Sequence, residues 1–232
     1  MVRSPVRVVL FDLGGTLIDN RNLDGWAELA RRWGIDVDAS HLAHAYDEVT
    51  RDFDHPPPVP PFHRWWAEVL SRASGGPVSP EVGEAFVAAA RELPPVSQLF
   101  SDTRRCLHDL SGARRRLGVV SNSRSEGSSR DLLRRAGIDG FFETVVSSGT
   151  EGVAKPDREI FERALARMGI SAAEAFFIGD LAFTDAKAAN LAGIRSVWLR
   201  RDGTGFGSDP PEITSLTELP GYLRRLEAGG TP

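Results

Sequence analysis

Apolar positions along the chain follow one regular alternation, broken once by a region of another kind. Val6–Phe11 is a nearly continuous apolar run rich in β-branched residues, the composition of a strand buried on both faces of a parallel sheet. Runs of the same character recur at 116–121, 142–147, 175–179 and 195–199. Between and after them, residues 102–110, 126–136, 157–168, 184–192 and 215–227 carry apolar positions at helical spacing. Strands alternating with helices of this length predict an α/β fold: a parallel sheet with helices on both faces, joined by right-handed crossovers.

Residues 20–95 depart from that alternation. Leu23–Trp33 sets Leu23, Trp26, Ala27, Leu29, Ala30 and Trp33 at helical spacing, and Ala39–Val49 repeats the pattern more weakly. Helical spacing returns at Phe62–Leu70 and at Pro80–Leu93. Between the two pairs lies His55-Pro56-Pro57-Pro58-Val59-Pro60-Pro61, which neither a helix nor a sheet interior accommodates. It reads as a stiff connector or as a loop over an active site. The expected organisation is a core of 1–19 and 96–232, with a small all-helical subdomain at 20–95 inserted between the first and second core strands.

The strand ends carry the candidate chemistry. The first run stops at Asp12, followed by Gly14-Gly15, so a carboxylate sits at the carboxyl end of a buried strand, where open α/β sheets place their ligands. Another strand ends in Ser121-Asn122, Lys155 precedes a Pro-Asp helix start, and a third strand ends in Gly179-Asp180 with Asp185 five positions on. Brought together in one crevice, Asp12, Asp180 and Asp185 with Lys155 would repel unless a cation compensates. Mg²⁺ suits a few carboxylates combined with substrate phosphate. Singly, each residue has a plainer reading. Thr16 and Asn122 are common turn or cap residues, Lys155 reads as a surface lysine, and Asp185 as a residue favouring a helix dipole.

Asp12, then Ser121-Asn122, then Lys155-Pro156, then Asp180-x4-Asp185, in that order at strand ends and helix starts, resembles the haloacid dehalogenase (HAD) superfamily. The resemblance covers most of the chain outside residues 20–95. It implies a Rossmann-like core, a helical cap at 20–95, and a Mg²⁺-dependent phosphatase acting on a small phosphorylated metabolite such as a sugar phosphate. Asp12 is then the nucleophile and a metal ligand, with the Gly14 carbonyl and Asp180 as further ligands. Asp185 orients a metal-bound water or the lysine. Lys155 neutralises the crowded anions, while Thr16, Ser121 and the Asn122 N–H hold phosphoryl oxygens. Attack by Asp12 on phosphorus would give an aspartyl-phosphate that water hydrolyses.

One position departs from that pattern. Most phosphatases of the superfamily carry a second aspartate two residues after the nucleophile, as general acid and then base; here it is Gly14. Three readings follow. The substrate has a good leaving group; or the cap supplies the acid from Asp52, Asp54, His55 or His63; or the protein is catalytically weak and binds a phosphorylated ligand or a partner protein. Dehalogenases of the superfamily also lack the second aspartate, but usually lack the paired acids of the last motif, so a 2-haloacid-type dehalogenase is the runner-up.

Composition narrows the class without changing it. With 232 residues, 41% hydrophobic and 26% charged, the chain is long enough for one core and an inserted unit. A net charge of −4 makes no electrostatic case for nucleic acid or an anionic membrane. No apolar run approaches a bilayer span or a signal peptide. Cys106 is the one cysteine, so no intrachain disulfide is possible, and its helical context marks it as a buried structural residue. His41 and His44, three apart on a helix, read as surface residues rather than metal ligands. The expectation is a cytoplasmic enzyme, monomeric or homodimeric, whose partner is its small substrate.

Overall fold

Val8, Val9, Leu10 and Phe11 are all fully buried, because the strand they form, β1 (Val8–Phe11), runs through the middle of a sheet covered on both faces. The computed structural model describes residues 4–55, 61–123, 127–201, 203 and 210–229. The flanking strands are β4 (Arg116–Ser121), β5 (Thr144–Ser147), β6 (Ala175–Gly179), β7 (Arg195–Leu199) and β8 (Glu212–Ile213), counted after the short pair β2 (Ile18–Asp19) and β3 (Gln98–Leu99). Among the described residues the sheet has six strands in the order β5-β4-β1-β6-β7-β8, each parallel to its neighbour.

Alternate side chains of each strand feed opposite cores, which is why the strands read as continuous apolar runs. Val9, Phe11, Leu117, Val119, Phe176 and Ile178 face helices α5 (Thr103–Gly112), α6 (Ser128–Arg135) and α10 (Leu219–Glu227) through Cys106, Leu107, Leu133, Tyr222 and Leu223. Val8, Leu10, Val120, Val146 and Phe177 face α8 (Arg158–Met168) through Ile160, Phe161, Ala164 and Met168. In this register Phe11 lies opposite both Val119 and Ile178, so the carboxyl ends of β1, β4 and β6 open on the same edge. β2 and β3 pair antiparallel, Ile18 against Leu99, and bring the two crossings to the helical insertion side by side.

Besides β2, β3 and β8, which no apolar run predicts, two helical stretches differ from the sequence expectation. The stretch expected as one helix over 184–192 is a π-helix, Ala182–Lys187, followed by a short α9 (Ala188–Leu191). Between β5 and α8 a four-residue helix α7 (Ser148–Glu151) also forms.

Contacts divide the chain into one compact unit of Met1–Asn20 with Ser97–Pro232 and a second of Arg21–Val96. The second holds α1 (Leu23–Ala30), α2 (Ala39–Phe53), α3 (Phe62–Ser74) and α4 (Pro80–Ala90). Its core is built on Leu29, Leu42, Val49, Trp66, Leu70 and Phe86. Three of its helices begin on side-chain caps: Asn22 accepts from Gly25, Asp38 from His41, and Ser79, with Pro80 following, from Val82. Most of the proline segment, residues 56–60, lies outside the described residues. His41 and His44 are exposed on α2, beside Asp38 and Glu48. Among the described residues no helix is long and apolar enough to cross a membrane.

Candidate active site

β1 delivers Asp12 to the open edge of the sheet, its N–H donating to the Ile178 carbonyl of β6 at 2.8 Å. Lys155 reaches the same point from the loop before α8. Its Nζ donates to Asp12 Oδ1 at 2.5 Å and to Asp185 Oδ1 at 2.6 Å, with the side chain only 2% exposed. The plain reading of Lys155 as a surface residue therefore fails. Asn122 explains how the lysine is aimed: its side chain donates to the Lys155 carbonyl at 2.9 Å and accepts from the Lys155 N–H at 2.8 Å. Ser121 is buried beside it at the end of β4.

The last motif closes the cluster. Asp185 is buried in the π-helix, where its Oδ2 accepts from the Leu181 N–H at 3.1 Å. A π-bulge at such a point is a common feature of functional sites. Asp180, just past β6, accepts at Oδ1 from the Thr16 hydroxyl at 3.0 Å. Carboxylate oxygens of Asp12, Asp180 and Asp185 all lie within 4.8 Å of one another. Gly15 makes this possible: its φ is +80°, and a Cβ there would stand 2.2 Å from Asp180 Oδ2.

Charge in this cluster is not balanced. Burial works against the Lys155 ammonium, but the Asp12 and Asp185 carboxylates outweigh it and hold the lysine charged, above its ordinary range. Asp180 is driven well above the usual carboxylate range by burial and then by repulsion from Asp12 and Asp185. Burial likewise raises Asp185, with Lys155 offsetting part of the rise. Fully ionised, three carboxylates against one ammonium would carry an excess negative charge, and carboxyl groups held above their usual range by burial and that repulsion suit a hard divalent cation.

One participant had no signal in the sequence. Arg201, just past β7, donates from Nε to the Gly15 carbonyl at 3.1 Å and from Nη2 to the Thr16 carbonyl at 2.6 Å. The same guanidinium makes two 3.1 Å bonds to Asp102 and lies 3.9 Å over the Phe100 ring. Asp102 is fixed in turn by the Ser215 hydroxyl and the Leu216 N–H. The loop after the first strand is thus clamped from outside the motifs. Nothing in Arg200-Arg201 distinguishes it from a solvated basic pair; only its position past a strand end hints at a role. Of the acids suggested for the helical unit, Asp52 is engaged by Arg72 at 2.7 Å. Cys106 is fully buried and its thiol pushed up to about 12, by burial and then by Asp102.

A family model described as haloacid dehalogenase-like hydrolase matches residues 6–193. Glyceraldehyde 3-phosphate phosphatase of Pyrococcus abyssi is 31% identical over 208 residues, covering 84% of this chain and 82% of that protein. Phosphoserine phosphatase of Thermus thermophilus is 35% identical over 157 residues, 65% of this chain and 58% of its own length. Among solved structures, the HAD-hydrolase YfnB from Bacillus subtilis superposes with a TM-score of 0.71 at 21% identity, covering 95% of this chain and 99% of that one. A HAD phosphatase from Thermococcus onnurineus gives 0.60 at 23% identity, covering 97% and 99%. These two likenesses establish the shared fold.

Proposed function

We propose that this chain, which belongs to the haloacid dehalogenase-like hydrolases, is a divalent-metal-dependent phosphatase of a small phosphorylated metabolite. The observation that carries the reading is Lys155 buried between Asp12 and Asp185, with Asp180 adding a third carboxyl group that this one ammonium offsets only in part. The named activities of the relatives in Pyrococcus abyssi and Thermus thermophilus support the phosphate-ester class.

Asp12 is the nucleophile. The Lys155 bond fixes its Oδ1, leaving the other oxygen to attack phosphorus as the bond to the leaving oxygen breaks. The electron pair stays on the leaving oxygen, and water then cleaves the aspartyl-phosphate. Lys155 offsets the negative charge gathered by a carboxylate and a phosphoryl group at close range. Asn122 holds Lys155 at its backbone, and the Ser121 hydroxyl and the Asn122 N–H provide donors for phosphoryl oxygens, whereas the Thr16 hydroxyl, buried and donating to Asp180, positions that carboxylate instead. Asp12, the Gly14 carbonyl, Asp180 and Asp185 would hold Mg²⁺, which supplies charge neutralisation at the transferring group. In the same reading the helical unit acts as the cap that selects the substrate.

Phosphate release from a panel of small phosphate esters, measured with Mg²⁺ and with EDTA, tests the reading. Turnover should need the metal and should vanish in Asp12→Asn. Undiminished release in EDTA, or by Asp12→Asn, would refute it. Halide release from 2-haloacids without metal would favour the dehalogenase instead, against the retained Asp180 and Asp185.

A further inference from the structure

Gly14 stands two residues past the nucleophile with no side chain to give a proton to a leaving oxygen, yet the space it leaves is taken. A Cβ on Gly14 would lie 3.0 Å from Nδ2, 3.1 Å from Oδ1 and 3.3 Å from Cγ of Asn20. The loop doubles back to bring them together. Gly14 bridges Ile18, the Gly15 N–H donates to the Ile18 carbonyl at 2.9 Å, and Asn20 follows directly after β2 with its side chain exposed. We propose that Asn20 is the specificity-determining residue of this hydrolase. Its carboxamide occupies the ground of the missing side chain and offers the leaving-group oxygen a neutral hydrogen bond.

An amide N–H stabilises developing negative charge but does not hand over its proton. The phosphorus–oxygen bond therefore breaks with the electron pair on a leaving oxygen that departs as an anion and takes its proton from water afterwards. That restricts efficient turnover to phosphates on acidic oxygens, such as acyl, aryl, enol or anomeric esters, and penalises primary alkyl phosphates by the ~10²–10⁴-fold that general acid help is typically worth. The inference rests on the phosphatase reading and goes beyond it, since it sets the substrate class apart from simple alkyl esters.

The test compares wild type, Asn20→Asp, Asn20→Ala, Gly14→Asp and Gly14→Asp/Asn20→Ala on acetyl phosphate, p-nitrophenyl phosphate and glycerol 3-phosphate, in Mg²⁺ across a pH series. Asn20 is exposed, and thermal unfolding checks that each variant folds. Wild type should favour the activated esters. Asn20→Ala should lower kcat by about two- to tenfold, the loss of one hydrogen bond, with KM nearly constant. Asn20→Asp should raise the alkyl rate at least tenfold relative to the aryl rate at acidic pH, and the gain should fade as pH rises through about 4, the ordinary aspartate range, where the new carboxyl loses its proton. Gly14→Asp should gain more alkyl activity when Asn20 is trimmed to alanine, because the two side chains compete for one space. Equal efficiency of wild type on both classes, or an alkyl-to-aryl ratio unmoved in every folded variant, overturns this inference while leaving the phosphatase standing. Absence of any phosphate release by wild type overturns both.

Discussion

Replacing Asp180 by asparagine should make the metal-free protein more stable while abolishing its response to Mg²⁺. The carboxylates of Asp12, Asp180 and Asp185 lie within 4.8 Å of one another. At an effective dielectric of about 20, two unit charges at that separation repel by roughly 3–4 kcal/mol. Asp180 faces two such neighbours, and the Lys155 ammonium in the same cluster cancels about one of them. Proton uptake by a carboxyl held so far above its usual range relieves part of the remainder. The net cost of the charge is therefore about 1–3 kcal/mol. Asparagine keeps the shape: its Oδ1 still accepts from the Thr16 hydroxyl, and the Trp198 indole N–H bonds the backbone carbonyl at 180 rather than the side chain. At about 2–4 °C per kcal/mol for a chain of this size, Tm in EDTA should rise by roughly 2–12 °C. Wild-type Tm should climb with added Mg²⁺, as binding to the folded state alone requires, and the variant's should not. Thermal unfolding across a Mg²⁺ series reads both. A variant no more stable than wild type in EDTA would mean that the folded protein balances these charges without a cation, and a retained Mg²⁺ shift would remove Asp180 from the ligand set.

Three further outcomes follow from the same geometry. Arg201→Met leaves Asp102, whose side chain is 10% exposed, without its guanidinium partner though still bonded to Ser215 and the Leu216 N–H, and should cost about 2–4 kcal/mol in denaturant unfolding. Asp102 is held below the usual carboxylate range because Arg201, the Leu216 N–H and Ser215 together outweigh burial. That stability is present above the unfolded carboxylate pKa of about 4 and lost below it, so the gap between wild type and variant should narrow as pH falls through this range. Gly15→Ala meets both a φ of +80° and Asp180 Oδ2 at 2.2 Å; beyond roughly 1–2 kcal/mol of backbone strain it should displace Asp180 and flatten the Mg²⁺ response. Cys106, fully buried with its thiol pushed up to about 12, should resist thiol reagents in the native protein and react once it is unfolded, as a spectrophotometric thiol titration would record.

What the sequence made legible tracks how local the determining forces are. Arg116–Ser121, Ala175–Gly179 and Arg195–Leu199 announce themselves because a strand covered on both faces needs an apolar side chain at nearly every position. β8, with only Glu212 and Ile213, carries no such run and exists because β7 offers it a pairing edge. The β2–β3 pair joins residues some eighty positions apart, which no window of the sequence contains. Helical spacing marks 184–192 correctly as helical but says nothing of the π geometry, which accompanies a bond from the Leu181 N–H to the Asp185 side chain. Arg201 was invisible for the same reason as β2 and β3: its four partners on Gly15, Thr16, Asp102 and Phe100 come from distant stretches.

The paired glycines after Leu13 illustrate how one sequence feature can hide two causes. Read as letters, Gly14-Gly15 is a single flexible turn. In the folded chain only Gly15 takes a left-handed φ, and only there would a side chain drive into Asp180, so Gly15 answers to backbone shape and to the site's carboxylates together. Gly14 stays outside the left-handed region, and its nearest obstruction is the movable end of Asn20 rather than backbone. Backbone geometry therefore does not demand glycine at 14. The absence of a carboxylate at that position is a matter of what stands in its place, and the chain supplies an amide there that can accept or donate a hydrogen bond but cannot serve as an acid at neutral pH.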